Sequence, residues 1–345
     1  MENQERGQFD FVGIGDIVTD AFIRLKNAEL HCDINHEHYE ICMSFGAKIP
    51  YESVTAVPAV GNSPNATVAG ARLGLRTALI TDLGNDYHGE EALTALKKES
   101  VDTRFVRRHE SKKTNYHYVL WFHDDRTILI KHEEYPYALP EIGEPKWIYL
   151  SSLGEHSLAY HQEIIAYLEA HPEVKLAFQP GTFQISFGPE KLKDIYGRTE
   201  IFFCNISEAQ KILGLPARSP GGEIKNVETE ISKLLSGLHK LGPKIVVITD
   251  GPAGAYASDG EKTWFMPPYP DPQPPFERTG AGDAFSATVT AALALGKTIP
   301  EALTWGPINS MSVVQKVGAQ AGLLSSKALE QYLAQAPANY QPRLI

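Results

Sequence analysis

The run Thr279-Gly280-Ala281-Gly282-Asp283-Ala284-Phe285 sets three small residues and a carboxylate just ahead of an apolar, alanine-rich stretch, Ser286–Leu295, closed by Gly296. The apolar stretch reads as a helix, which places Gly280, Ala281 and Gly282 at its N-terminus. Lacking bulky side chains, these residues let backbone N–H groups come close to a ligand, and the helix dipole favours negative charge there. Such a tip suits the charge on a transferring phosphoryl group, with Asp283 beside it to accept a proton from an attacking hydroxyl. A helix N-terminus also lowers a carboxylate's pKa, so Asp283 is expected to be a weak base that orients its hydroxyl more than it deprotonates it. The same residues equally fit a plain turn with an acidic first helical turn.

The elements around this run alternate. Phe9–Ile14 reads as a strand entering a glycine turn at Gly15, and Asn65–Leu73 has helical spacing up to a C-capping Gly74. A strand at 77–80 and a helix at 90–98 follow. Further strands are expected at 147–150, 174–178, 200–203 and 244–249, separated by helices at 159–170 and 228–241. This pattern predicts an α/β domain with a mostly parallel sheet and helices on both faces. Two regions break it, about 23–59 and 112–130, the second reading as an antiparallel pair that turns at His123-Asp124-Asp125-Arg126. Both are expected to form a small β-rich lid. Pro267–Pro275 is too proline-rich for helix or central strand and acts as a stiff connector. No internal repeat is evident.

Several polar-and-glycine segments accompany Asp283. They are Gly15-Asp16-Ile17-Val18-Thr19-Asp20, Val60-Gly61-Asn62-Ser63-Pro64-Asn65 with Ala71-Arg72-Leu73-Gly74, and Gly84-Asn85-Asp86-Tyr87-His88-Gly89. Further along come Asn205-Ile206-Ser207-Glu208, Thr249-Asp250-Gly251-Pro252-Ala253-Gly254 and Asn309. With Glu277–Asp283, and in this order, they resemble the ribokinase-like (PfkB-type) family of carbohydrate and nucleoside kinases over nearly the whole chain. The resemblance implies one three-layer ribokinase-like domain over residues 1–345, an ATP-dependent phosphotransferase with a hydroxyl acceptor. It makes Asp283 the catalytic base and Gly280, Ala281 and Gly282 the anion hole. Asp20, Gly61, Asn62 and Asn65 would hold the acceptor, and Asn205, Thr249, Gly251, Gly254 and Asn309 the ATP. Glu208 would organise Mg²⁺ through water. It also admits a homodimer joined through the lid.

The chain departs from the family pattern at three places. Val60 replaces the first glycine of a Gly-Gly pair used as a lid hinge, and Gln179 precedes Pro180 where an Asn is frequent. Glu277 replaces an Asp that helps hold a monovalent cation, which leaves a K⁺ site at Glu277 and Thr279 open. For the acceptor, a neutral sugar is expected, because no Lys/Arg cluster for a substrate phosphate is evident. A nucleoside is the alternative, motivated by lid aromatics (Tyr39, Phe45, Tyr51, Tyr116 and Tyr118). A catalytically silent nucleotide-binding regulator of the same fold is a further alternative, against which the intact Asp283 speaks.

Composition narrows the remaining classes. Of 345 residues 43% are hydrophobic, enough for a large core, and no apolar run is long enough to cross a membrane. A net charge of −10 disfavours a nucleic-acid partner. Three scattered cysteines and a start without a signal core point to the cytoplasm. Ala291–Thr298 matches a loose phosphate-loop pattern but continues a helix, and Gly13-Ile14-Gly15 lacks the third glycine of a dinucleotide fingerprint. His31, Cys32, His36, His38 and Cys42 lack zinc-like spacing, so no metal is expected on them.

Overall fold

A computed structural model describes residues 8–26, 28–32, 39–122, 125–216 and 227–345. The chain begins β1 (Phe11–Ile14), β2 (Val18–Leu25), β3 (Glu29–Cys32), β4 (Tyr39–Cys42), β5 (Tyr51–Val60), α1 (Asn62–Arg72), β6 (Thr77–Gly84), α2 (Tyr87–Lys98) and β7 (Val106–His109). It continues through β8 (Tyr116–Phe122), β9 (Asp125–Leu129), β10 (Trp147–Leu150), α3 (Leu158–Ala170), β11 (Lys175–Phe178), α4 (Thr182–Phe187), α5 (Lys193–Arg198), β12 (Thr199–Asn205), α6 (Ile206–Ile212) and α7 (Val227–His239). It ends β13 (Ile245–Thr249), β14 (Ala255–Ser258), β15 (Thr263–Met266), α8 (Ala281–Ala294), α9 (Ile299–Val313), α10 (Ser326–Ala334) and β16 (Arg343–Leu344).

The main sheet has the order β16-β15-β14-β13-β12-β11-β10-β1-β6-β7. The seven strands from β13 to β7 are parallel, and β14, β15 and β16 add on antiparallel at one edge. Short apolar runs such as Trp147–Leu150 are buried along their whole length, as strands covered on both faces must be. One apolar core packs α1, α2, α8, α9 and α10 on one face, and a second packs α3, α5, α6 and α7 on the other. Three layers result, as the alternation of strands and helices predicts.

The lid is a separate sheet of order β5-β2-β8-β9, with β3 and β4 as an antiparallel pair inserted between β2 and β5. The expected antiparallel pair of 112–130 is β8 with β9, although His123 and Asp124 lie outside the described residues. The lid starts earlier than the sequence suggests: β2 begins at Val18, so Asp20 itself belongs to the lid. Ala291–Thr298 completes α8 and passes through its C-terminal turn, in line with rejecting a phosphate loop there. No helix among the described residues is long and apolar enough to cross a membrane. No group of His, Cys, Asp and Glu that could hold a metal occurs among them either, and His36 and His38 fall outside them.

Candidate active site

Parallel strands in adjacent positions deliver their last residues to one edge. Gln179 follows β11, Asn205 ends β12 and Thr249 ends β13, with Asn205 and Thr249 in register. The crevice outside the carboxyl ends of such strands is where open α/β sheets bind ligands. The tip of α8 points into it. Gly280 caps that helix with φ +80°, a left-handed conformation, and a Cβ added to it would lie 2.3 Å from the Ala319 Cβ. Only glycine meets both demands.

Asp283, in the first turn of α8, is held by three amides. Asn62 Nδ2 donates to its Oδ1 at 2.9 Å, Asn65 Nδ2 to its Oδ2 at 2.8 Å, and Gln179 Nε2 to Oδ1 at 3.1 Å. Gln179 is turned the right way because its Oε1 accepts from the Tyr149 hydroxyl, leaving the NH₂ for Asp283. Protein surrounds the carboxylate so closely that burial raises its pKa above the ordinary carboxylate value, against the lowering effect of the three amides; the negative charge of Asp20 adds to the rise. This reverses the expectation drawn from the helix dipole: desolvation outweighs it, and Asp283 is a stronger base than an exposed aspartate.

Asp20 stands on β2, opposite His117 of β8 in register, with His117 Nδ1 3.5 Å from its Oδ1. It is only 8% exposed, and its Oδ1 has no hydrogen-bond partner. His117 stacks edge-on with His132, whose Nδ1 is 3.6 Å from Asp16 Oδ2 and whose ring meets Phe183. Tyr137 donates its hydroxyl to Asp16 Oδ1 at 2.9 Å. His117 Nε2 and His132 Nδ1 are likewise buried without a hydrogen-bond partner. Buried carboxylate and imidazole atoms without hydrogen-bond partners mark this group as a place that polar atoms from outside the chain would fill. No lysine or arginine stands among these residues. Gly61, at the entry to α1, has φ +122° and would put a Cβ 2.7 Å from the Asp16 carbonyl, so the two segments meet backbone to backbone.

On the other side of the α8 tip lies a cavity of about 280 Å³. Thr249, Gly251, Gly254, Ala281 and Gly282 line it, with Tyr269 and Phe285 among its apolar walls. Asn309 does not reach it. That side chain is 0% exposed, donates to Thr288 Oγ1 at 2.8 Å and accepts from Leu324 N at 2.9 Å, while its neighbours Pro307, Ser310 and Met311 face the cavity.

Asn205 and Glu208 form a reciprocal capping box at the start of α6, with Asn205 N donating to Glu208 Oε2 and Glu208 N to Asn205 Oδ1, both at 2.9 Å. Burial raises the Glu208 pKa, and the nearby charge of Asp283 adds to the rise. A single carboxylate at this sheet edge is compatible with Mg²⁺, which keeps most of its waters and takes its other ligands from phosphates. Glu277 and Thr279 fit a monovalent cation poorly. Glu277 Oε1 already accepts from both the backbone N–H and the hydroxyl of Thr279, and Arg126 Nε lies 3.8 Å from it.

The sequence reading missed Asp16, His117, His132 and Tyr137. Asp16 was visible beside Gly15, but the others reach the site only through pairings between distant strands and loops. The lid aromatics that motivated a nucleoside do not gather there. Phe45 and Tyr51 are exposed, Tyr118 is half exposed, and Tyr116 packs between His88 and Tyr118; the side chain of Tyr39 lies outside the described set.

The pfkB family carbohydrate kinase model matches residues 35–326. Ribokinase from Bacillus subtilis (strain 168) is 27% identical over 284 residues, covering 79% of this chain and 87% of that protein. Among solved structures, Arabidopsis thaliana ribokinase complexed with ribose and ATP superposes with a TM-score of 0.77 at 21% identity, over 95% of this chain and 99% of that one. A nucleoside kinase from Methanocaldococcus jannaschii gives 0.73 at 16% identity, over 95% and 99%.

Proposed function

The chain belongs to the pfkB family of carbohydrate kinases, and from that premise we propose that it transfers the γ-phosphoryl group of ATP to a hydroxyl of a small neutral sugar, with Asp283 as general base. The observation that carries this reading is the position of Asp283. It lies at a helix tip between the cavity lined by Thr249, Gly251 and Gly254 and the buried carboxylate and imidazole atoms of Asp20, His117 and His132 that lack hydrogen-bond partners.

In this mechanism the acceptor lies between Asp20 on the lid and Asp283 on the body, with Asn62, Asn65 and Gly61 beside it. Asp283 takes the proton of one hydroxyl as its oxygen attacks the γ-phosphorus. The bond to the bridging oxygen breaks, and ADP leaves with the electron pair. The first backbone N–H groups of α8, without helical partners, face the charge on the transferring group. Asn62, Asn65 and Gln179 keep the Asp283 carboxylate aimed, so its orientation costs nothing at the moment of reaction. ATP occupies the cavity beside Thr249, Gly251 and Gly254. Glu208 would hold Mg²⁺ through water, and the ion would neutralise charge on the phosphates.

A sugar is favoured over a sugar phosphate because the acceptor side presents carboxylates and imidazoles and no cationic side chain. It is favoured over a nucleoside because the exposed lid rings turn away from the pocket. Release of ADP assayed across a panel of free sugars, sugar phosphates and nucleosides tests this. Turnover with nucleosides alone would replace the sugar reading, and ATP binding without turnover on any acceptor would favour a silent regulator.

The outer lid face carries Val54, Tyr118 and Leu129, each about half exposed, with Tyr118 and Leu129 in register across β8 and β9. An apolar sheet face of this kind supports the further reading that a second copy of the chain covers it, forming a homodimer that sedimentation at several concentrations would detect. The free thiols Cys42 and Cys204, with an ATP donor, fit a cytoplasmic setting.

A further inference from the structure

Glu277 is 2% exposed, yet it carries a carboxylate, and its Oε2 has no hydrogen-bond partner. Its Oε1 is spent on the turn it belongs to, accepting from Thr279 N at 2.6 Å and from the Thr279 hydroxyl. A buried carboxylate of this kind needs a cation. The cation facing it comes from the lid: Arg126 Nε of β9 stands 3.8 Å from Glu277 Oε1, too long for a hydrogen bond but within ion-pair range. A second lid contact lands on the preceding residue, where the ring of Trp121, paired with Arg126 across β8 and β9, meets Phe276 edge-on at 5.2 Å. The turn is anchored behind as well, since Phe276 N and Glu277 N both donate to Val314 O. It leads directly to Gly280, whose packing on Ala319 leaves no room for a side chain.

We propose that Arg126 is a positioning residue: by pairing with Glu277 it fixes the Glu277–Gly280 turn, so that seating the lid and aligning the α8 amides are one event. The guanidinium thereby stands in for a bound monovalent cation at this turn. The proposal rests on the kinase reading for its consequence in turnover, but the structural coupling can be measured without it.

The test compares the wild type with Arg126→Gln, Arg126→Lys, Glu277→Gln and the double variant Arg126→Gln/Glu277→Gln, in two arms. In the first, kcat and KM are measured for ADP release. Each Gln variant is expected to lose on the order of tenfold or more in kcat, with KM for ATP changing far less and the double variant no worse than either single one. Arg126→Lys recovers part of the loss, and added K⁺ or guanidinium raises the rate of Arg126→Gln but not of the wild type. In the second, hydrogen exchange of residues 276–283 is followed by mass spectrometry, and in Arg126→Gln it should quicken there more than in the rest of the chain. Additive losses, a loss confined to KM, or unaltered exchange at 276–283 in Arg126→Gln would overturn the proposal. If the wild type turns over no acceptor, the kinase reading fails on its own, and the exchange arm still decides whether Arg126 holds the turn.

Discussion

Gln179 donates its side-chain amide to Asp283 Oδ1 at 3.1 Å, while its own carbonyl accepts from Tyr149. A residue at the end of a core strand therefore steers the proposed base from behind, and Tyr149, fully buried, locks the steering group. Gln179 is one of the donors that lower the Asp283 pKa against the upward push of burial. Replacing it by Leu removes a donor, so the Asp283 pKa rises further. The acid limb of kcat/KM against pH should move to higher pH, with activity lost first on the acid side. A pH profile unmoved by Gln179→Leu would exclude this steering role.

Asp283→Asn keeps the shape and removes the base. Turnover should fall by about 10²–10⁴-fold, the usual worth of a positioned proton acceptor. ATP affinity, measured by calorimetry, should stay close to that of the wild type. Retained turnover would show that another group takes the proton.

Asp20→Ala and Asp16→Ala act on the acceptor. On the proposed function Asp20 pairs directly with an acceptor hydroxyl and Asp16, which accepts from Tyr137, supports that side of the site, so roughly 10- to 100-fold should appear in KM for the acceptor, as expected for hydrogen bonds to a charged group. KM for ATP should hardly change. Equal effects on both substrates would mean that the variants disturb the fold and not the pocket.

Gly280→Ala asks an alanine to adopt φ +80° with its Cβ against Ala319. The backbone alone costs about 1–3 kcal/mol. A lower urea midpoint together with a lower kcat is expected, since the same turn carries the amides.

Much of this was legible in the sequence, and for identifiable reasons. Trp147–Leu150 and Ser286–Leu295 are apolar in the manner of buried elements, so strand and helix could be placed and, with them, the tip bearing Asp283. Asn65 meets Asp283 directly, bringing together two segments that only the family resemblance, and not their composition, had placed in one site. Asn309 illustrates what escapes such reading. Successive residues of a helix point about 100° apart, and nothing in the local sequence told whether Asn309 or Ser310 would face the cavity. The sign of the Asp283 pKa shift escaped too, because the dipole is written in the sequence whereas the density of surrounding atoms is not. His117 and His132 joined the site only through strand pairing and loop packing between distant segments.

His161 offers a check on stability independent of catalysis. Its ring is fully buried, and burial holds its pKa below the ordinary histidine value, against the raising effect of its bond to the Ser157 carbonyl at 2.7 Å. The unfolded chain therefore takes up a proton here before the folded one does. Stability from this group is complete above the unfolded pKa of about 6.5 and drains away as pH falls below it. Urea midpoints at pH 7.5 and 5 should separate more for the wild type than for His161→Gln, and equal separations would assign the acid sensitivity elsewhere.

Asp20 rides on a strand of the small sheet, and Asp283 sits in the first turn of α8, a helix packed on the large one. Whatever molecule satisfies both must own at least two well-spaced hydroxyls, one for each side, and by holding them together it becomes the clasp of its own reaction chamber. A lone water has a single oxygen and can occupy one side only. On the proposed mechanism a single water cannot hold the two sides together, so idle hydrolysis of ATP should be slower than transfer to a hydroxyl acceptor.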